Sequence, residues 1–181
     1  VKGKKTDKVK TLSKGNQQKV QLTATLIHQH PLIILDETTS GLDPVNAELL
    51  KEGILSLKKQ GSCVIFSSHN MEHVEKICDH LVMLNNGKSV LNGVVHEIRE
   101  SFGRTKVFLE SPITRDEIAL LDGVTDVRER EDQTLEITLS NPEVGKEIFR
   151  LATADGYIPM FNQQPPTLEE IFKQKVGEAN V

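Results

Sequence analysis

The segment LIILDETTSGLDP, residues 32–44, decides how this chain is read. Four apolar residues run directly into two acids, Asp36 and Glu37, and then into a short polar turn. A brief, wholly apolar run has the pattern of a strand buried on both faces of a parallel sheet. Acids at the carboxyl end of such a strand stand where open α/β sheets bind ligands. One carboxylate there can hold magnesium through water, and the next can orient or deprotonate an attacking water. For an isolated Asp-Glu pair, however, a strand-end acid that caps a helix is the better reading.

Working outward, Asp43 and Pro44 read as an N-cap followed by proline at the first helical position, and Gly61 marks the end of that helix. Residues 12–27 suit a preceding helix with Ser13 as its candidate N-cap. CVIFSS, residues 63–68, is a second buried strand, followed by a helix over 71–79. HLVMLNNGKSVLNG, residues 80–93, alternates around Asn86-Gly87, the dipeptide favoured in tight hairpin turns. The order β-α-β-α followed by a hairpin implies a mainly parallel sheet with an antiparallel appendage. Residues 94–103 form a linking helix.

Beyond Gly103 the texture changes. Strands are predicted over 105–110, 124–130, 133–140 and 157–163, with helices over 114–121 and 143–155. This β-α-β-β-α-β order is the ferredoxin-like arrangement. PPTLEEIFKQKV, residues 165–176, adds a terminal helix whose Leu168, Ile171 and Phe172 share one face, read as docked core rather than a partner groove. The expected fold class is therefore α/β over residues 1–100, followed by a small α+β domain over 101–181.

A chain of 181 residues can hold a real core. With 27% charged residues and a net charge of -4, it lacks the profile of an electrostatic nucleic-acid or membrane binder. Only residues 1–10, VKGKKTDKVK, are basic, which suits a solvated or truncated segment better than a phosphate contact. Cys63 and Cys78, with no signal-like apolar start, point to reduced thiols in a cytosolic protein. No apolar run approaches the roughly 20 residues needed to span a bilayer, so a membrane role would run through a partner. Trp is absent and Tyr157 is the single tyrosine, so no base-stacking platform is evident.

The acid pair gains meaning from its neighbours. LSKGNQQKV (residues 12–20) lies upstream and VIFSSHN (residues 64–70) downstream. Together these segments resemble the signature, Walker B, D-loop and switch-histidine elements of ABC-type ATPase domains, in the family's order, over about residues 11–95. Leu12-Ser13-Lys14-Gly15-Asn16 matches the family's Leu-Ser-Gly-Gly-Gln. The resemblance implies that Ser13, Lys14, Gly15, Asn16 and the adjoining Gln17 contact ATP held by the other subunit of a dimer, at a helix start suited to phosphate. It gives Asp36 the magnesium role, Glu37 that of the catalytic carboxylate, and Ser40-Gly41-Leu42-Asp43 that of the D-loop at the dimer interface. His69 stands as the switch histidine, expected to touch the γ-phosphate. Lys14, Asn16 and Thr38 depart from the commonest pattern.

The family's ATP anchor, G-x-x-x-x-G-K-[ST], does not accompany these elements. Gly87-Lys88-Ser89 supplies the last three residues, but Val82 stands where the first glycine must be, and the match falls in a hairpin turn. The chain thus resembles the C-terminal portion of a P-loop NTPase domain of ABC type, and by itself it is expected to lack ATPase activity. His69, His73, Cys78 and His80 form a loose zinc candidate, but HNMEH lacks the glutamate that H-E-x-x-H demands.

By topology and its terminal segment, the second domain resembles that of bacterial ABC exporters of the drug and sodium-export type, with a regulatory or dimer-supporting role implied. The resemblance implies ATP and Mg²⁺, a second ATP-binding subunit, and a transmembrane permease that carries substrate specificity. Its implied location is the cytoplasmic face of the plasma membrane, with only indirect membrane contact and no nucleic acid. Two alternatives stay open: a non-enzymatic association module, and an ABC ATPase acting on nucleic acid or ribosomes.

Overall fold

The computed structural model describes residues 6, 8–27, 30–38, 43–154 and 156–179. Ser40, Gly41 and Leu42 of the expected D-loop lie outside the described residues. The chain divides into two compact units, Val1–Cys78 and Asp79–Val181.

In the first unit a 3-10 turn, Val9–Thr11, leads into α1 (Lys14–Ile27), β1 (Leu32–Asp36), α2 (Pro44–Lys59), β2 (Cys63–Ser67) and α3 (Met71–Ile77). Asp43 caps α2 as its sequence demands: its carboxylate accepts the Asn46 amide at 3.1 Å, and Pro44 opens the helix. Lys58 and Lys59 in the last turn complement the helix dipole. The chain leaves at Gly61, whose φ of 91° favours glycine. Strands β1 and β2 pair in parallel, Leu32 opposite Cys63 and Asp36 opposite Ser67.

Burial on this pair departs from the sequence reading. Ile33 and Leu35 enter a core with Leu50, Ile54 and Leu57 of α2 and Ile77 of α3. The alternate residues Leu32, Ile34 and Ile65 are 51%, 65% and 53% exposed. The period of two sends successive side chains to opposite faces, and α2 covers one of them while α1 packs on α2. An apolar run shows that both faces tolerate burial, not that both are buried. Here β1 and β2 are buried on one face only.

The second unit opens with an antiparallel hairpin, β3 (His80–Asn85) and β4 (Lys88–Val94). Asn86 and Gly87 turn it with φ of 49° and 74°, the positive pair that a type I′ turn needs. Lys88 and Ser89 therefore begin a strand rather than end a phosphate loop. Helix α4 (Val95–Ser101) follows, then β5 (Lys106–Glu110), α5 (Arg115–Ala119), β6 (Val124–Glu129), β7 (Leu135–Leu139), α6 (Val144–Ala152), β8 (Met160–Gln164) and α7 (Leu168–Ala179). Strand order is β6-β7-β5-β8 with every neighbouring pair antiparallel, the ferredoxin-like sheet. One sheet face packs Val107, Leu109, Ile137 and Leu139 against Ile118 of α5 and Ile148 of α6. Strand β8 starts later than expected because Pro159 offers no N–H to the ladder.

Helix α7 is docked, with Leu168 and Ile171 both 0% exposed and Phe172 partly buried. Its start is fixed by reciprocal bonds: the Thr167 amide donates to Glu170 Oε2 at 2.9 Å, and the Glu170 amide donates to Thr167 Oγ1 at 3.3 Å. Glu170 also pairs with Lys106 of β5 at 2.6 Å, and Lys106 reaches Glu136 at 3.2 Å and Thr138 Oγ1 at 3.0 Å on β7. Arg99 of α4 donates to the carbonyls of Pro166 and Pro165 at 2.9 and 3.2 Å, so the hairpin-and-α4 segment is tied to the approach of α7. No helix among the described residues is long and apolar enough to cross a membrane.

Candidate functional site

The parallel pairing of β1 and β2 ends with Asp36 and Ser67 side by side. In a parallel pair, registered residues point to the same face, and both side chains emerge on the exposed face. The Ser67 hydroxyl donates a short hydrogen bond to Asp36 Oδ1. Ser67 Oγ in turn accepts the Glu37 amide at 3.0 Å, and the Ser67 carbonyl accepts that amide at 3.2 Å. Beyond the strand end, Glu37 adopts a φ of 48°, a left-handed conformation uncommon for a residue with a side chain. That turn swings its carboxylate toward the end of β2, where Oε2 lies 2.8 Å from His69 Nδ1. A carboxylate only accepts, so Nδ1 donates and Nε2 is left for a ligand.

His69 itself is placed by the connection from β2 to α3. The Asn70 amide donates to Ser68 Oγ at 3.1 Å, and the Asn70 side chain caps α3 by accepting the His73 amide at 3.0 Å. Four side chains from two strand ends, Asp36, Glu37, Ser67 and His69, thus form one bonded group. Its side chains are accessible: His69 is 77% and Glu37 45% exposed. The group is anionic and polar, held from below by the α2 core, and open to a ligand from above.

Of the residues singled out in the sequence, the structure joins Asp36, Glu37 and His69. Ser13 and Gly15 stand at the start of α1, with Lys14 its first residue, and the Ser13 carbonyl accepts the Gln17 amide at 2.9 Å. Gln17 Nε2 donates back to the carbonyls of Leu12 at 2.8 Å and Lys10 at 3.3 Å, bracing the turn before the helix. Asn16 lies in the first turn of α1, partly buried. Asp43 serves as the cap of α2. Ser67 was missed by sequence reasoning. Its only signal was its place at the end of an apolar strand, two residues before His69, which does not reveal a cross-strand partner.

Asp36 offers a hard carboxylate oxygen that could hold a magnesium ion through water. Among the described residues no group of three His, Cys, Asp or Glu side chains gathers to hold a metal. A separate hollow of about 210 Å³ in the second unit surrounds Lys106, Phe108 and Glu170. There the Lys106 ammonium already has Glu136, Thr138 and Glu170 as partners, so the hollow reads as a structural node.

Comparison with known proteins matches both parts of the chain. Residues 93–176 match the family described as ATP-binding protein DrrA1-3-like, C-terminal domain, and residues 1–40 match the ABC transporter family. An uncharacterized ABC transporter ATP-binding protein of Alkalihalophilus pseudofirmus is 42% identical over 174 residues, covering 96% of this chain and 65% of that protein. The uncharacterized ABC transporter ATP-binding protein YhaQ of Bacillus subtilis is 43% identical over 173 residues, covering 94% of this chain and 57% of that protein. The Nod factor export ATP-binding protein I of Rhizobium etli is 32% identical over 171 residues, 94% of this chain and 53% of that protein. The chain therefore spans between about half and two thirds of the length of these relatives.

Proposed function

Because the chain belongs to the ABC transporter ATP-binding proteins and carries their DrrA-like C-terminal domain, we propose that it supplies the hydrolytic acids and the signature segment of an ATP-driven transport subunit. The observation that carries this reading is the bonded group at the ends of β1 and β2: Asp36, Glu37 and His69 on one open, anionic rim.

Glu37 accepts a proton from, or aligns, the water that attacks the terminal phosphorus of ATP. His69 holds that carboxylate through Nδ1, and in its imidazolium form, where both ring nitrogens donate, Nε2 also reaches the γ-phosphate oxygens. Asp36 holds the magnesium ion through water; when bound, the ion neutralises phosphate charge. Ser13, Lys14, Gly15, Asn16 and Gln17 form a second, separate surface. The start of α1 is a helix N-terminus, whose dipole suits the γ-phosphate of ATP bound by another subunit. Asp43 is assigned to the contact with that same subunit.

ATP binding then joins two subunits and hydrolysis releases them, moving a transmembrane permease from the cytoplasmic face of the plasma membrane. The relative named for Nod factor export supports an export direction. Residues 101–181 act as an accessory domain that supports or regulates the dimer, with the functional division near residue 100.

The trans arrangement has a direct test in subunits that carry this sequence together with a phosphate loop. Homodimers of Glu37→Gln and of Ser13→Arg are each expected to be inactive. Mixing them creates heterodimers in which one site keeps both its own Glu37 and its partner's Ser13. Recovery of about a quarter of normal turnover is expected, since roughly half the dimers are mixed and each has one sound site. A mixture as inactive as its parents would contradict the sharing of sites.

A further inference from the structure

We infer that Ser67 is a positioning residue of this site, a hydroxyl clamp that sets the geometry of both acids at once; the inference rests on the reading of Asp36 and Glu37 given above. Three observations converge on one oxygen. Ser67 Oγ donates to Asp36 Oδ1. It accepts the backbone amide of Glu37 at 3.0 Å. Glu37 is the residue whose φ of 48° departs from the strand to bring its carboxylate to His69.

A left-handed turn at a non-glycine residue persists only when its surroundings hold it. Here the holding contacts are the two acceptors that Ser67 gives the Glu37 amide, its carbonyl at 3.2 Å and its hydroxyl. The hydroxyl proton, meanwhile, leaves the Asp36 carboxylate with one oxygen engaged and one available, which fixes the direction in which the second oxygen faces a ligand. A single atom on β2 therefore couples the ion-holding acid, the water-handling acid and, through Glu37, His69. The parallel register that sets Asp36 opposite Ser67 makes this possible.

Ser67 touches no reacting atom in this scheme, so its removal acts on the chemical step through Asp36 and Glu37. Threonine and valine separate the hydroxyl from mere bulk. Both are β-branched, both suit a strand, and they differ by the hydroxyl alone. Ser67 is exposed, so neither disturbs the core beneath.

The experiment measures ATP turnover in a subunit carrying this sequence and a phosphate loop, as Ser67, Ser67→Thr and Ser67→Val, with Glu37→Gln as reference. Ser67→Thr is expected to keep kcat within about twofold, and Ser67→Val to lose about tenfold in kcat with a smaller change in KM for ATP, the effect of one lost positioning bond. A second readout is independent of turnover: the carboxyl carbon resonance of Asp36 and the amide resonance of Glu37 shift in Ser67→Val and return toward their original positions in Ser67→Thr. Equal kcat and equal resonances in the Thr and Val variants would overturn the clamp while leaving the site reading intact. Undiminished turnover in Glu37→Gln would instead overturn the site reading itself.

Discussion

At the scale of single residues, the strand-end position of Asp36 and Glu37 was legible as an apolar run that ends in acids, whereas the roles proposed for them came from the neighbouring segments. The place of His69 just past a second apolar run was legible in the same way, and its proposed role likewise came from the surrounding segments. Ser67 was not legible, because its role rests on a partner 31 residues away that only the β1–β2 register brings alongside. The φ of 48° at Glu37 was equally hidden, since nothing in a glutamate announces a left-handed turn. Asp43 shows a residue whose structural role sequence does reveal. Its carboxylate accepts the Asn46 amide, so Asp43→Ala is expected to cost about 1 kcal/mol of stability. Asp43→Asn, which keeps an acceptor, is expected to cost only a few tenths of that. Chemical unfolding of the two variants distinguishes a cap from a residue that matters only at an interface.

Elements were read well where caps and breakers set them. The start of α2 at Pro44 and the Asn86–Gly87 turn follow from residue types with special backbone preferences. The docking of α7 was foreseen from its apolar face, but the charged fastening at its start was not. There, burial acts to raise the Glu170 carboxyl, yet the bond from Lys106 and those from Thr167 outweigh it and hold it below its ordinary 4.5. Burial likewise acts to lower Lys106, and its bonds with Glu170 and then Glu136 outweigh this, holding it above its ordinary 10.5. The signs give a window. A depressed carboxyl contributes stability above its unfolded pKa and loses it as pH falls through the folded one. A raised lysine contributes below its unfolded pKa and loses stability as pH rises through the folded one. The α7 fastening is therefore complete between the ordinary values of 4.5 and 10.5 and fails on both sides. Glu170→Gln is expected to lower stability at neutral pH and to flatten the acid limb, as followed by thermal unfolding across pH. An acid limb as steep as that of the unsubstituted chain would show that the carboxylate is not the group responsible.

On the scale of the whole molecule, the order of elements carried most of the fold: a β-α-β-α run, a hairpin and a β-α-β-β-α-β sheet all appear as their periodicities predict. Leu32, Ile34 and Ile65 lie exposed on the outer face of the β1–β2 pair in this chain, which spans between about half and two thirds of the length of its relatives. That same outer face carries Asp36 and Ser67, so the surface left open by α2 is also the one that presents the acids. The residues proposed for function come from two places in the chain, the acids and His69 at the strand ends and the signature residues at the start of α1. The central claim remains the role of Glu37, and it is tested most directly by ATP turnover of Glu37→Gln in a subunit carrying this sequence with a phosphate loop. The account predicts ATP affinity within about twofold of normal and a loss of at least about a hundredfold in turnover, the scale of a lost general base. Turnover within about threefold of the unsubstituted subunit would contradict it.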